Sequence, residues 1–326
     1  MRRRARRTAL LCAAALLLPL SLTACSGGSG NDGTVRFGYI GDYNGSSLLA
    51  IADKEGLWKK AGLKPDVKVF NNGPIQIQAL GAGDLDFGYI GPGAMWLPAS
   101  GKSKVIAIDT LTTADRVIGQ PGIDSIQALK GKKVGVVQGT SGEMVLDLAL
   151  KKAGMTEKDL QVIPMDASTI VSAFDAGKID GAGIWYPLLD TIKKNRPGLH
   201  EIASDTDFPQ DSFPTAFVAG NKTDPKLVSK VEKVLQEAND WRSAHPAQSI
   251  SLAAAMLHVS TAETTRDAAN VKTMTTAQLV AATKDGTVGK WLDSLSGFFV
   301  QSGQLKQAPA ASTYYEGDLY TKAYTR

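Results

Sequence analysis

One stretch of this chain occurs twice. Ala79 to Ile90 (ALGAGDLDFGYI) aligns with Ala173 to Ile184 (AFDAGKIDGAGI) at an offset of 94 residues, and Lys60-Ala61-Gly62 returns as Lys152-Ala153-Gly154 after 92. Solenoid units repeat every 20–50 residues or so, so a period this long points to two similar lobes. The elements around the repeat agree. Val35–Ile40 predicts a strand, Ser46–Ala61 an amphipathic helix, Asp66–Phe70 a strand, Pro74–Leu80 a short helix, and Asp86–Ile90 and Lys104–Asp109 strands. Downstream, Lys133–Val137, Leu160–Met165 and Ile179–Ile184 predict strands, with helices over Ser141–Ala153 and Thr169–Ala176. Strand–helix alternation of this kind builds a parallel sheet with helical faces.

Beyond Asp190 the pattern turns helical. Phe213–Ala219 predicts one more strand. Helices are expected over Pro225–Ala244, Ala247–Leu257, Thr261–Val271, Thr276–Lys284 and Val288–Ser302. Asp224 before Pro225 and Ser260 with Glu263 three residues on are N-terminal capping signals. The late helices complete the first lobe after the chain returns from the second. Tyr314, Tyr315, Tyr320 and Tyr324 are expected to pack on a lobe surface.

Residues 1–24 have the makeup of an export signal. Arg2, Arg3, Arg4, Arg6 and Arg7 precede an apolar stretch from Ala9 to Leu20, too short for the roughly 20 residues of a membrane span. Leu22-Thr23-Ala24-Cys25 resembles a bacterial lipobox, which implies acylation of Cys25. Residues 25–33 then form a flexible tether. Arg6-Arg7-Thr8 leaves both the general and the twin-arginine export route open.

Removing the signal changes the charge argument. Five of the 36 basic residues and none of the 32 acidic ones lie in residues 1–24, so the remaining 302 residues carry 31 against 32, a net of −1. The basicity belongs to the signal and gives no reason to expect nucleic acid. Cys12 leaves with the signal and Cys25 takes the lipid. No thiol is left for a disulfide, a metal cluster or a nucleophile. His200, His245 and His258 lie outside the glycine-rich loops, and no metal-ligand spacing occurs. The chain is therefore not expected to be an enzyme, to hold a metal, or to need a cofactor.

In parallel α/β sheets, ligands sit beyond the carboxyl ends of the strands, where loops enter helix N-termini. Four loops qualify: Gly41 to Ser47, Gly91 to Trp96, Gln138 to Gly142, and Trp185 to Pro187. They combine glycine, hydroxyl, amide and aromatic groups, with Tyr43, Trp96, Trp185 and Tyr186 as candidate walls. Each has a plainer alternative: Thr140 or Ser141 as a helix cap, Trp96 as core, Pro187 as a helix start. Arg116 is the one cation near a crossover. It either reaches the cleft or pairs with Asp115 or another neighbour.

These segments resemble the nitrate/sulfonate/taurine-type substrate-binding proteins of ABC importers, a family that includes receptors for the thiamine pyrimidine precursor. The resemblance rests on Val35 to Leu49, Glu55-Gly56-Leu57-Trp58, Gly73 to Gly91, Leu129 to Val136, Gly139-Thr140-Ser141, and Ala173 to Pro187. It implies a periplasmic-binding-protein-like α/β fold of type II, with two lobes hinged on two crossover segments. Residues 34–112 plus 213–326 would form lobe 1 and residues 113–212 lobe 2. The crossovers are expected near Thr110–Ala114 and Gln210–Thr215. The family places ligand against Tyr43, Asn44, Gly91, Thr140, Ser141, Trp185 and Tyr186; Trp96, Asp42 and Asp166 are added as candidates. The implied role is an extracytoplasmic, lipid-anchored monomer handing a small solute to an ABC permease and ATPase. A sulfonate or taurine-like solute is favoured. A pyrimidine-like heterocycle is the alternative, and an enzyme on the same fold is the competing class. Asp42 and Asp166 suit an amine-bearing solute better than nitrate.

Overall fold

The computed structural model describes residues 33–324. The expected export signal, Cys25 and all of the tether but Gly33 lie outside the described residues.

The chain begins with β1 (Thr34–Ile40), α1 (Tyr43–Lys54), α2 (Leu57–Lys60), β2 (Lys64–Phe70), α3 (Gly73–Ala82), β3 (Phe87–Ile90), α4 (Trp96–Ala99) and β4 (Lys104–Thr112). The helix expected over Ser46–Ala61 is two. It breaks at Gly56, whose φ of 65° is left-handed backbone that glycine adopts without strain. The chain then crosses to a second sheet: β5 (Asp115–Gly119), β6 (Lys133–Val136), α5 (Ser141–Lys152), β7 (Gln161–Pro164), α6 (Ala167–Asp175), β8 (Gly181–Trp185), α7 (Leu188–Asn195) and β9 (His200–Ser204). It returns through β10 (Pro214–Ala219) and ends in α8 (Pro225–Ala244), α9 (Pro246–Leu257), α10 (Thr261–Ala268), β11 (Val271–Thr273), α11 (Thr276–Lys284), α12 (Thr287–Gln301) and α13 (Gly317–Ala323).

The two sheets repeat one plan. The first has order β11-β4-β10-β3-β1-β2 and the second β7-β6-β8-β5-β9. Each holds a parallel trio, β2-β1-β3 or β7-β6-β8. Beside each trio lies one antiparallel strand that follows a crossing from the other sheet: β10 in the first, β5 in the second. Only Thr113 and Ala114 separate β4 from β5, and residues 208–213 precede β10. The sequence pattern did not give β5, β9 or β11, which are short strands without clean alternation. The helix expected to run to Val271 stops at Ala268, and Val271–Thr273 pairs with β4 instead.

Central strands read as unbroken apolar runs because both faces are covered. All four residues of β3 are buried, as are all six of β10. Phe37 stacks on Phe87 at 5.5 Å and meets Phe217 edge-on at 5.7 Å. The surface packing expected of the four tail tyrosines describes Tyr315 and Tyr324, which are half-buried, and not the other two. Tyr314 and Tyr320 are each only 2% exposed, because the tail bridges to β4 at Val105 and closes that edge of the sheet. The two capping signals form as expected: Asp224 accepts from Lys226 N–H, and Ser260 and Glu263 make a reciprocal capping box.

Within each trio, two strands splay apart toward their carboxyl ends. β1 and β3 pair only at Phe37 and Phe87. The gap beyond is filled by the Gln76 amide, which donates to Tyr89 C=O at 2.8 Å and accepts from Tyr89 N–H at 2.9 Å. Gly38 and Gly88 leave room for it: a Cβ on Gly38 would stand 2.7 Å from the Gln76 oxygen. In the second sheet, Gly142 at the start of α5 fits against Gly183 of β8, where a Cβ on Gly183 would come within 2.3 Å of Gly142 C=O. Both splays open the strand ends toward the space between the sheets.

Candidate functional site

A hollow lies where those strand ends face each other. From the first sheet's side come Ile40, Asp42, Asn44, Asn72, Tyr89, Gly91, Thr112 and Thr215; from the second come Asp115, Thr140, Ser141, Trp185 and Tyr186. Its cavity volume is about 40 Å³. At roughly 10–15 Å³ per water on that measure, the hollow as it stands holds a few waters. The lobes are shut on it. A Cβ on Gly93 would sit 2.2 Å from Ser141 N and from Thr140 C.

Seven of the ten expected site residues meet here: Asp42, Asn44, Gly91, Thr140, Ser141, Trp185 and Tyr186. Three do not. Tyr43 turns into lobe 1, 4% exposed, with its hydroxyl 2.8 Å from Ser249 Oγ on α9. Trp96 is half-buried beside Gln138, Gly139 and Glu143, in a separate depression between the same loops. Asp166 is exposed and serves as the cap of α6, accepting from Thr169 N–H at 2.8 Å. That backbone bond, with Ser168, holds its carboxyl below the usual range. The sequence missed Asp115, Asn72, Tyr89 and Thr215. Asp115 follows the two-residue crossing, and a lone Asp at the head of an unrecognised strand carries no signal.

Lobe 1 fixes its wall by hydrogen bonds. Asp42 caps α1 through Oδ1, accepting from Gly45 N–H at 2.6 Å. Asp267 Oδ2, on α10, accepts from Tyr43 N–H at 2.6 Å. Asn44 Oδ1 accepts from the Thr110 hydroxyl at 2.8 Å, and Thr110 meets Thr215 at 2.9 Å. This leaves the Asn44 amide N–H groups to the hollow. Behind this layer, Arg242 (2% exposed) binds Asp109 at 2.7 Å and Ser47 at 3.0 Å.

Lobe 2 is arranged differently. The Thr140 hydroxyl donates back to Val137 C=O at 2.7 Å, so no side chain caps α5. Glu143 instead accepts from Gly139 N–H at 2.7 Å. Asp115 is 1% exposed; its backbone N–H donates to Asp205 Oδ2 at 2.9 Å, and its own Oδ1 has no hydrogen-bond partner. Arg116 does not enter the hollow. It binds Glu201 at 2.7 Å and the Thr113 and Asp115 carbonyls, and its guanidinium lies 5.4 Å from the Tyr186 ring centre. Lys193 donates to the Tyr186 hydroxyl at 2.5 Å and also pairs with Glu201. Both cations therefore brace Tyr186, and both share one carboxylate.

Two carboxylates and no Lys or Arg line the hollow. Burial raises Asp115 to about 6, against the pull of Ser141, Arg116 and Asp205. Burial, then the nearby Asp267 charge, holds Asp42 well above the usual carboxylate range. Asp267 itself is raised to about 7 by burial, and Asp205 is raised well above normal by burial and by Asp115.

On the far side of Gly41 a wider opening of about 310 Å³ separates the lobes, walled by Tyr39, Val69, Leu188, Met256 and Leu257. Two ion pairs span it from α10 to α7: Lys194 to Glu263 at 2.6 Å and Arg266 to Asp190 at 2.9 Å. His258 lines this opening, while His200 lies on β9 and His245 stacks on Trp241. Among the described residues, no group of three His, Cys, Asp or Glu side chains could hold a metal, and no helix is long and apolar enough to cross a membrane.

The comparisons with known proteins agree with this architecture. Residues 45–249 match the family model described as NMT1/THI5 like. A binding protein of Brucella abortus (strain 2308) is 52% identical over 291 residues, 88% of this chain and 91% of that one. An aliphatic sulfonates-binding protein of Bacillus subtilis (strain 168) is 29% identical over 247 residues, 72% of this chain and 74% of its own. The alkanesulfonate-binding protein SsuA from Xanthomonas axonopodis pv. citri, solved bound to MOPS, superimposes with a TM-score of 0.67 at 20% identity, covering 87% of this chain and 98% of that one. That likeness shows the periplasmic-binding-protein fold. The sequence relatives show the rest: this chain is a member of the NMT1/THI5-like family of solute-binding proteins.

Proposed function

We propose that this protein is an extracytoplasmic receptor that closes its two lobes on a compact polar solute and delivers it to an ABC importer, tethered to the membrane through a lipid on Cys25. The observation that carries this reading is the hollow lined from both lobes, with Gly93 packed directly on the start of α5. A solute held there binds both halves at once, so ligand and closure stabilise each other. Relatives named for aliphatic sulfonates and for taurine favour a small sulfonate-like solute. The carboxylates on the wall favour those members of that range that also bear an amine, and they keep a pyrimidine-like heterocycle as the second choice. No Cys or His lines the hollow, and the relatives are named as binding proteins, which favours binding without turnover over an enzyme on the same fold.

Thermal-shift screening followed by calorimetry tests this. A ligand at 100 times its Kd adds about 2.7 kcal/mol, or roughly 4 °C in melting temperature for a protein of this size. Small-angle scattering should show contraction on binding. Saturable turnover of a bound solute, or the lack of any saturable ligand, would refute the receptor.

A further inference from the structure

On its lobe 1 side the hollow lacks the partner that a plain anion needs, whereas in lobe 2 no side chain caps the first amides of α5. Anions are held at helix N-termini because backbone N–H groups there are free. At α1 the protein's own carboxylates have taken them: Asp42 accepts from Gly45 N–H and Asp267 accepts from Tyr43 N–H. The nearest buried guanidinium, Arg242, is committed to Asp109. Arg116 and Lys193 stand behind Tyr186 and share Glu201.

The charged groups that the hollow offers are hydrogen-bond acceptors. Asp42 spends Oδ1 on its cap, which leaves Oδ2. Asp115, only 1% exposed, has an Oδ1 with no hydrogen-bond partner, and with Asp42 it is one of the two carboxylates that line the hollow. A buried acceptor without a donor is costly, and a ligand N–H relieves that cost. The two carboxylates come from opposite lobes, Asp42 from the loop after β1 and Asp115 from the head of β5. Tyr186 and Trp185 add aromatic faces suited to an organic cation or a planar ring.

We infer that the solute presents basic or polarised nitrogen to this pair. A protonated amine, an amidinium or an aminoheterocycle would bridge Asp42 and Asp115 by N–H donation, and this nitrogen decides which solutes are accepted. The inference rests on the receptor reading above and narrows it. Cation binding favours the ionised carboxylates. For an ammonium or amidinium ligand, complex formation should therefore release protons and tighten as pH rises from 5 to 8. The groups that share this field are Asp109, Asp267 and Tyr89 around Asp42, and Arg116, Asp205 and Ser141 around Asp115, with Arg242 behind Asp109.

Matched probes test it by calorimetry on the mature chain: taurine against ethanesulfonate, and 4-aminopyrimidine against pyrimidine, with nitrate alone. In at least one pair the nitrogen-bearing member should bind about tenfold or more tightly, with proton release measured by comparing phosphate and Tris buffers. Asp115→Asn should weaken that binding by about tenfold or more. Asp42→Asn keeps a competent helix cap and gives a second reading if Asp115→Asn folds poorly. Equal or tighter binding of ethanesulfonate or nitrate, proton uptake on binding taurine, or unchanged affinity in both variants would overturn the inference while leaving the receptor intact. If none of the five probes binds, the protein is dialysed against an extract of its own host and examined by native mass spectrometry. A bound molecule with basic or amino nitrogen supports the inference and one without it overturns it. A protein that stays empty removes the receptor reading, and this inference with it.

Discussion

The starts of α1 and α5 occupy equivalent places in the two lobes, yet they are finished in opposite ways. At α1, two carboxylates cover the first amides, and an Arg242–Asp109 ion pair lies buried behind them. At α5, no side chain caps the helix, and its first turn meets Gly93 of the other lobe. The repeat conserved a backbone plan and let the chemistry diverge. Lobe 1 is electrostatically rigid and acidic at its rim. Lobe 2 supplies rings, hydroxyls and a surface for lobe 1 to land on. A duplicated fold thus gives two dissimilar jaws, which is what an unsymmetrical solute requires.

The largest expected effect comes from breaking lobe 1's buried pair. Arg242→Met leaves Asp109 charged and alone, which should cost about 3–5 kcal/mol and lower the melting temperature by roughly 6 °C or more. An unchanged melting curve would mean that lobe 1 is not braced in this way. Next is the contact between the jaws. Gly93→Val places side-chain atoms where Ser141 N already lies, so closure should be obstructed and solute affinity should fall about 10- to 100-fold, with folding intact. Calorimetry alongside scattering checks both parts.

A third test uses pH. Glu232 on α8 is fully buried, neither carboxylate oxygen has a partner, and burial, then Glu316, raises it to about 9. Its folded pKa lies above its unfolded one, so the folded state holds the extra proton. The stability it contributes is full below the unfolded value and is lost as pH rises through about 9. Glu232→Gln should therefore melt about 3 °C or more above the native protein at pH 9, and the gap should narrow at pH 5. The smallest effect belongs to the pairs across the outer opening. Lys194→Ala removes one exposed bridge to Glu263 and leaves the Ser260–Glu263 cap in place; the bridge is worth about 0–1 kcal/mol, so affinity should change less than about fivefold and depend on salt.

Much of the architecture was legible because it is written in periodicity. Gly-Asp turns, Lys-Ala-Gly stops and the late capping boxes each have a local cause. The parallel trios and the long helices followed from them. The strands that were missed, β5, β9 and β11, are short and owe their form to the neighbour they pair with. The site divides in the same way. Asn44, Gly91, Thr140, Ser141, Trp185 and Tyr186 could be found because loops after strands point to the cleft. Asp115 could not, since its importance comes from its missing partner and from Asp205, 90 residues away. Tyr43 and Trp96 show the converse. They lie in two of the four loops, but side-chain direction is set by packing, and α9 and the loop at Gly139 hold them instead.

The joint between the lobes has a further implication. Two residues, Thr113 and Ala114, connect strands that are each locked into a sheet on both sides. So short a link leaves only a few torsions to absorb motion, and the return strand must follow along nearly the same path. Such a pivot tends to produce a shutter with two settings, where intermediate angles are poorly supported. A membrane partner would then need to recognise only the shut outline, and the same docking event could serve whatever guest had sprung it.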